Sequence, residues 1–405
     1  MLATLTVVTL IDALLLFGTG GRLKGERQME KLMEIGSPNE ISIVLASSYP
    51  FAANVILIDE LPVQCQIRDF EKHIKVLSGR PETINYTLNP TSRGEYHFGK
   101  VLCYLKSPLR ILERCYEFEG ETVAKVYPIF RKETRYRLNA VNREYAPDGQ
   151  TSRVRRLGHS LEFEKIKEYV KGDDVRTINW KATARSSNLM VNTYTDTRRQ
   201  EIYCLIDKGR NMKMPFDGLT LLDHSINAAL SLMNAAIQKQ DKAGLFTFSN
   251  VPDKLLPADN RPGHMQKMIE TLYAQKTDFK ETDYEAVLLA VRKQLKQRTF
   301  MLLFTNYESL SGLKRQLPHL VMLSKMHLLC VVFFENTLIN QIKEQQPENT
   351  EGIYIKTIAD QFVLEKKLIV KELRRHGIVS ILTTPARLST DVISKYLELK
   401  AVQKI

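Results

Sequence analysis

Five short, continuous runs of apolar residues in the second half of the chain limit its fold more than any other sequence feature. Each run has the length of a strand and lacks alternating polar positions, which predicts strands that are covered on both faces. The runs are IYCLI (202–206), GLFTF (244–248), FMLLF (300–304), LLCVVFF (328–334) and IVSIL (378–382), and helical periodicity occupies 221–240, 284–297 and 358–377. This alternation predicts an α/β domain over 200–405 with a doubly wound, mainly parallel sheet.

The preceding part of the chain has a different pattern. From about Pro38 to Val126, short alternating segments such as 41–47 and 54–59 are separated by turn-forming residues, without sustained helical periodicity. About seven strand candidates in this length predict a small β-sandwich domain over 30–130. His73 and His97 are isolated there, and isolated histidines do not indicate a ligand site.

The amino terminus is apolar. Residues 1–17 contain only three threonines and Asp12 as polar residues, and a helix of that length extends roughly 26 Å, against about 30 Å of hydrocarbon. Basic residues follow at 22, 24, 27 and 31, which places the downstream chain on the cytoplasmic side of a membrane. We therefore expect a membrane helix over 1–20. A buried core helix is the alternative, because a carboxylate in mid-membrane is costly unless it is paired.

Positive charge is concentrated in one segment. The whole chain carries 58 Lys and Arg against 46 Asp and Glu, a net charge of +12. Residues 131–199 hold 16 of these basic residues against 9 acidic ones, which gives +7. We interpret 131–199 as a basic connector that could lie on anionic headgroups. A nucleic-acid or other anionic-ligand surface is the alternative, but aromatic residues do not interleave with the charges, so no nucleic acid is expected.

Motifs of catalysis are missing from the sequence. It contains no G-x-x-x-x-G-K-S/T, G-x-S-x-G or H-E-x-x-H. Cys204 lies in a predicted buried strand, and His224, the histidine nearest to Asp207 in sequence, has no recognisable third partner. The five cysteines are scattered without a C-x-x-C pair, which favours reduced thiols over disulfides or zinc. The chain is predicted not to be an enzyme, and a divergent hydrolase around Asp207 is the alternative.

One stretch, residues 167–212, combines unusual features. Asp173 and Asp174 stand where an N-cap belongs, and Val175, Ile178 and Ala182 predict a short helix with one apolar face. Basic residues flank Trp180, the single tryptophan of the chain. This combination suits a docking surface or an interdomain latch. The alternative, which we favour, is that the two aspartates pair with the arginines and lock the connector onto the α/β domain. The residues concerned are Gly172, Asp173, Asp174, Arg176, Asn179, Trp180, Lys181 and Arg185.

The core of this stretch, GDDVRTINWKATAR (172–185), closely resembles the signature of the bacterial domain-of-unknown-function 58 family. Proteins of that family share this order: membrane helices, a small β domain, the signature and a von Willebrand factor A-like domain. The resemblance implies that this chain begins as though inside the second of two membrane helices, so that 1–20 would be a truncated one. It also implies a place at the bacterial inner membrane, with most of the chain on the cytoplasmic face.

The resemblance further implies a degenerate metal site. In von Willebrand A domains the first strand ends in D-x-S-x-S, and a Thr and an Asp from later loops complete a magnesium site. Here the corresponding residues are Asp207, Lys208, Gly209, Arg210, Asn211, Thr282 and Asn306. One carboxylate beside two cations holds Mg²⁺ weakly, so no cofactor is expected and Mg²⁺ is the alternative. An acidic partner residue could instead meet Lys208 and Arg210 directly.

Family members are typically encoded with MoxR-type AAA+ ATPases and are thought to act with them in envelope stress, metalloenzyme maturation or chaperone-like assembly. The resemblance thus implies a membrane-anchored, non-catalytic adaptor with such an ATPase as partner. The alternative function is a soluble nucleic-acid or anionic-ligand binder that uses the basic connector.

Overall fold

The computed structural model describes residues 2–118, 122–128, 161–170, 173–186, 188–196, 200–216, 218–337, 339, 342 and 349–402. The chain begins with helix α1, Leu2–Ala13, which continues as a π-helical turn over Leu14–Gly18. Within the described residues, no helix has both the length and the apolar character needed to cross a bilayer. The expected membrane-spanning helix over 1–20 is therefore not supported.

The end of α1 is fastened to the β domain by its one carboxylate. Asp12 is buried, and it accepts hydrogen bonds from the Ser107 hydroxyl at 2.5 Å and from the backbone N–H groups of Leu109 and Leu112 at 3.3 Å each. The apolar side chains on either side of it in sequence, Leu10 and Leu14, are more than half exposed. The helix is thus held at its end and remains largely uncovered along its length.

The β domain contains ten described strands in three sheets. They are β1 (Leu23–Met29), β2 (Leu32–Glu34), β3 (Asn39–Ser47), β4 (Ala53–Asp59), β5 (Glu71–Val76), β6 (Glu82–Leu88), β7 (Gly94–Phe98), β8 (Val101–Lys106), β9 (Glu113–Phe118) and β10 (Thr122–Tyr127). The sheet orders are β1-β3-β6, β2-β10-β7 and β5-β4-β8-β9. The predicted all-β region is confirmed, and its strands begin at Leu23 rather than near residue 30.

Strand β3 joins the cores of this region. Its alternate residues Ile41, Ile43 and Leu45 share one face, as the period of two in a strand requires, and all three are fully buried. Ile41 belongs to the cluster with β7 and β10, whereas Ile43 and Leu45 belong to the cluster with β4 and β8. One sheet therefore covers the other two.

A separate hairpin follows the β domain. Strands β11 (Leu161–Glu168) and β12 (Met190–Asp196) pair antiparallel. Between them lie a 3-10 turn over Val175–Thr177 and the short helix α2, Trp180–Thr183. The single short helix expected from 175 to 182 is thus two turns, because Ile178 between them is extended and forms a β-bridge with Val191.

The remainder of the chain forms the α/β domain. Its strands are β13 (Glu201–Asp207), β14 (Pro215–Phe216), β15 (Leu219–Thr220), β16 (Lys242–Phe248), β17 (Pro252–Asp259), β18 (Phe300–Phe304), β19 (Leu328–Phe334) and β20 (Val379–Thr383). Its described helices are α3 (Leu221–Gln238), α4 (His264–Tyr273), α5 (Tyr284–Gln294), α6 (Leu310–Met326), α7 (Thr350–Arg375) and α8 (Leu388–Ala401). The five predicted strands are confirmed as β13, β16, β18, β19 and β20.

The sheet of this domain is doubly wound. Its order is β17-β16-β13-β18-β19-β20, parallel except for β17, which pairs antiparallel with β16. Helices α3, α4 and α8 bury one face of the sheet, and helices α5, α6 and α7 bury the other. Since the parallel strands all end at one edge, the loops that follow β13, β16, β18, β19 and β20 lie side by side there.

Arg93 connects the β domain to the α/β domain. Its guanidinium, buried between them, donates from Nε to Asp223 Oδ1 at 2.5 Å and from Nη1 to the carbonyl oxygen of Leu272 at 2.6 Å. Asp223 also closes a capping box with Thr220 at the start of α3. The same arginine therefore fixes one domain against the other and supports a helix terminus.

We expect Arg93→Ala to lower the free energy of unfolding by about 3–5 kcal/mol, because it leaves Asp223 as a buried, unpaired charge. Urea unfolding followed by circular dichroism measures the loss. Arg80→Ala, at an exposed position of the β domain, is the matched control and should stay within about 0.5 kcal/mol of the wild type. Equal effects from the two substitutions would contradict the assigned role of Arg93.

Candidate functional site

Asp207, the last residue of β13, is surrounded by hydrogen-bond donors of the protein itself. Only 2% of the residue is exposed. Its Oδ1 accepts from the Gly209 backbone N–H at 2.8 Å and from the Thr282 hydroxyl at 2.7 Å. Its Oδ2 accepts from the Thr305 hydroxyl at 2.7 Å and from the Tyr284 hydroxyl at 3.4 Å. The protein itself thus supplies hydrogen-bond donors to both oxygens of the carboxylate.

Burial decides the protonation equilibrium of this carboxyl group. Removal from water raises the pKa of Asp207, and the hydrogen bonds from Thr282, Gly209, Thr305 and Tyr284 oppose the rise without cancelling it. The pKa of the folded state therefore lies above the ordinary aspartate value. Asp207 thus accepts hydrogen bonds within the fold, and burial of its ionised form costs free energy.

The turn after Asp207 requires glycine. A Cβ atom on Gly209 would lie 2.1 Å from the Thr282 hydroxyl oxygen and 3.0 Å from Asp207 Oδ1. The missing side chain lets the chain pass close to Thr282, so that the backbone N–H reaches the carboxylate. Glycine at this position thus serves the Asp207–Thr282 contact.

The two cations of the loop lie in different environments. Lys208 is nearly buried, and its Nζ binds Asp253 Oδ2 at 2.7 Å. Arg210 is about 60% exposed, and its Nη2 lies 3.2 Å from Glu281 Oε1. Arg210 is therefore the cation of this loop that a partner can reach, whereas Lys208 is engaged within the domain.

Asn211 and Asn306 are brought together, as their positions after β13 and β18 suggest. The side-chain amide of Asn211 donates to the backbone oxygen of Asn306 at 3.3 Å. The side-chain oxygen of Asn306 accepts from Lys366 Nζ at 2.8 Å, and the same ammonium donates to the backbone oxygen of Tyr307 at 2.5 Å. Burial lowers the pKa of Lys366 to about 8, although Glu308 and Glu335 favour its charged form. The side-chain oxygen of Asn306 is thus engaged in a hydrogen bond with a lysine of α7.

These residues do not fit a resident Mg²⁺ ion, which needs several free oxygen ligands in near-octahedral geometry. The oxygens of Asp207 already accept from four protein groups, and the side-chain oxygen of Asn306 already accepts from an ammonium. Across the part of the chain that the structure describes, no three His, Cys, Asp or Glu side chains group closely enough to hold a metal.

Two neighbouring cavities open at this edge of the sheet. The first is a polar cleft of about 150 Å³, lined by Asp207, Arg210, Asn211, Glu281, Thr282, Tyr284, Thr305, Asn306, Tyr307, Glu308, Ser309, Gly312, Arg315 and Gln316. The second is a mainly apolar pocket of about 300 Å³ whose lining includes Phe216, Leu221, Phe334, Phe362, Lys366 and Leu382. Asn306 and Glu308 line both, so the cleft and the pocket form one continuous surface.

Sequence reasoning missed several residues of this surface. Thr305 and Tyr284 could have been found from the sequence, because they lie within two residues of the predicted residues Asn306 and Thr282. Arg315 and Lys366 lie within helices, far from any strand end, and their sequence neighbours give no sign of the site. Only the packing of α6 and α7 reveals them.

The signature residues brace the hairpin from within. Asp173 accepts from Lys167 Nζ at 2.8 and 2.6 Å and from the backbone N–H of Val170 at 3.0 Å. Asp174 caps the 3-10 turn by accepting from the backbone N–H of Arg176 at 3.0 Å. The predicted capping role is present, but the partners that these aspartates have among the described residues are Lys167 and backbone groups rather than the side chains of Arg176 and Arg185.

The rest of the signature divides into bracing and exposed residues. Asn179 caps α2 through the Ala182 N–H and donates to Asn192 Oδ1 at 2.8 Å. Trp180 is 70% exposed. Gly172 lies outside the described residues, as does most of the basic connector predicted over 131–199, since residues 131–160 are not among them.

Cys204 and His224, the residues considered for catalysis, make contacts within the fold. Cys204 is fully buried in the central strand, and burial raises the pKa of its thiol. The His224 ring lies 3.2 Å from the backbone oxygen of Phe216 and packs edge-on against the Phe216 ring. All five cysteines are free thiols in the structure.

We expect Asp207→Asn to fold and to unfold within about 1 kcal/mol of the wild type at pH 7. An amide preserves the shape, hydroxyl groups can reverse to accept hydrogen bonds, and the buried charge is removed. Asp207→Ala should cost about 2–4 kcal/mol, because it leaves buried donors without an acceptor. Chemical unfolding of both variants measures the difference, and equal losses would contradict the assigned role.

The raised pKa of Asp207 also predicts that the free energy of unfolding depends on pH. Between the unfolded carboxyl pKa of about 3.9 and the raised pKa of Asp207, the folded state keeps a proton that the unfolded state has released. The free energy of unfolding from this group therefore falls as pH rises through that window and is level above it. The difference between wild type and Asp207→Asn should show this slope, and a difference that does not change with pH would contradict it.

The chain is similar to several known proteins. Residues 165–332 match the family described as protein of unknown function DUF58. The uncharacterized protein YeaD of Bacillus subtilis is 22% identical over 256 residues, which cover 62% of this chain and 61% of that protein. The chain thus spans less than two thirds of the length of this relative.

Solved structures also match. BatB, a conserved hypothetical protein from Bacteroides thetaiotaomicron, covers 50% of this chain with 99% of its own, at 13% identity and a TM-score of 0.32. An aerotolerance-related membrane protein from Bacteroides fragilis covers 51% of this chain with all of its own, at 14% identity and a TM-score of 0.29. The family match includes the described signature residues and β13 through most of β19. The resemblance to the DUF58 family seen in the sequence is therefore confirmed over residues 165–332.

Proposed function

We propose that this chain is a membrane-associated, non-catalytic adaptor that recognises a partner protein at the carboxyl edge of its α/β sheet, without a bridging metal ion. One observation carries the proposal. Asp207 is the residue that would hold a metal in a von Willebrand A-like domain, and its carboxylate oxygens already accept hydrogen bonds from four protein donors. Arg210 remains exposed at the rim of the cleft.

The cleft suits an acidic side chain of the partner. Arg210 and Arg315 both line it and are both exposed. The pairing of Arg210 with Glu281 is between exposed groups, and such pairs contribute little stability. A carboxylate from a partner can therefore replace Glu281 as the acceptor and form a two-point hydrogen bond with the guanidinium. A metal-bridged contact is thereby replaced by a direct ion pair.

The adjoining pocket suits an apolar side chain. Phe216, Phe334 and Leu382 supply apolar walls, and buried apolar anchors provide most of the binding energy in protein interfaces. Since Asn306 and Glu308 line both cavities, a single short segment can reach both. We propose that the recognised segment carries an acidic residue close to a large apolar one.

The proposed partner is a MoxR-type AAA+ ATPase, as the family resemblance implies, and the proposed location is the cytoplasmic face of the bacterial inner membrane. The exposed apolar side chains of α1 support membrane association, because an uncovered apolar helix is unfavourable in water.

Co-purification of the full chain from native membranes tests this function. We expect a MoxR-type ATPase to come with the wild type in the presence of EDTA, and its yield to fall about tenfold or more in Arg210→Glu/Arg315→Glu. Charge reversal places like charges against the partner carboxylate, which costs several kcal/mol.

The matched control is Arg261→Glu. Arg261 is an exposed arginine, and it follows β17, whose end Asp259 pairs with Ala243 at the opposite edge of the sheet. This variant should retain the ATPase. Loss of the ATPase with EDTA, or equal recovery in the double variant, would contradict the proposal.

A further inference from the structure

The DUF58 signature presents an uncovered apolar patch in the cap of the hairpin. Trp180 is 70% exposed, Val175 is 65% exposed and Val170 is 63% exposed. Trp180 begins α2, and Val170 and Val175 lie in the same connection between β11 and β12. An indole and two aliphatic side chains are therefore held in water by a structure that does not use them for its own core. We call Val170, Val175 and Trp180 the signature patch.

Hydrogen bonds brace the hairpin without covering the signature patch. Asp174 and Asn179 cap the two turns of the connection. Asn179 N–H also donates to the backbone oxygen of Met190 at 2.9 Å, which ties the cap along β12. Among the hairpin residues with described side chains, none belongs to the hydrophobic clusters of the β domain or the α/β domain. The exposure of Trp180 is thus a fixed feature of an ordered element.

Unpaired cations accompany the signature patch. Arg176, Lys181 and Arg185 come from the same cap, and none of them makes an ion pair with a residue of the described chain. The acidic residues of the cap are occupied, since Asp173 binds Lys167 and Asp174 caps a turn. The side-chain charges of the cap that have no ion-pair partner among the described residues are therefore positive. They favour binding to an anionic surface.

The shape favours a lipid surface over a peptide. No hairpin residue lines the polar cleft, the apolar pocket or two further cavities in the described part of the molecule. Indole rings prefer the boundary between hydrocarbon and headgroups, and Arg and Lys beside them attract anionic lipid. One indole and two valines that are exposed in the same connection as three cations match a bilayer interface.

We infer that the signature hairpin docks onto an anionic membrane surface, with Trp180 inserted at the headgroup boundary and Arg176, Lys181 and Arg185 against lipid phosphates. This inference rests on the membrane association proposed above and is separate from the partner site at the carboxyl edge of the sheet. It gives the segment that carries the family resemblance a binding role of its own.

Trp180 is itself the reporter that tests this inference, because it is the single tryptophan of the chain. The full chain is mixed with phosphatidylcholine vesicles, with and without phosphatidylglycerol, and Trp180 emission is recorded with doxyl-labelled lipids as quenchers. We expect a blue shift and quenching with the anionic vesicles only, both weakened by high salt. In Arg176→Glu/Lys181→Glu/Arg185→Glu, the lipid concentration for half-maximal shift should rise about tenfold or more.

The control moves the reporter. In Trp180→Phe/Tyr354→Trp the tryptophan lies on α7, at a residue that is 69% exposed, and its emission should not respond to lipid. Equal responses at the two positions would reveal general adsorption and overturn the inference. Unchanged, water-like emission of Trp180 with anionic vesicles would also overturn it and leave a protein as the occupant of the signature patch. Neither outcome alters the co-purification of the ATPase, so the two proposals fail independently.

Discussion

A buried carboxylate at the end of the central strand organises the functional edge of this protein. Asp207 joins the loop after β13 to Thr282 and Tyr284 at the start of α5 and to Thr305 after β18. A charged group in this position must be satisfied, because an isolated buried charge costs far more than any one contact provides. The fold satisfies it with protein donors. The edge is therefore closed around Asp207 and presents arginines and an apolar pocket outward.

The same edge has a second, partly buried charge that supports it from the other side. Lys366 reaches from α7 to the side chain of Asn306 and the backbone of Tyr307, and Asn211 contacts Asn306 from the loop after β13. The loops after β13 and β18 are thus connected through Asn306 to a helix that packs on the opposite face from α3. The polar cleft and the apolar pocket therefore belong to one connected structure.

Much of the α/β domain could be predicted from the sequence because its parallel strands are continuous apolar runs. Strand β17 was not predicted, since PDKLLPAD contains two prolines and alternates little, as an irregular antiparallel edge strand can. Helix α6 has Pro318 in its interior, which weakens a helical pattern. The site was predictable only at strand ends. The exposure of Trp180 and the internal pairing of Lys208 depend on tertiary contacts, and sequence position does not encode them.

The recognition proposed at the carboxyl edge of the sheet needs no metal ion at Asp207. The most direct measurement is the thermal unfolding of the full chain during titration with MgCl₂, with Asp207→Asn in parallel and ionic strength held constant. We expect no saturable rise in Tm with Mg²⁺ for either protein. A saturable rise for the wild type that disappears in Asp207→Asn would contradict it, because only a bound ion held by Asp207 stabilises the folded state in that way.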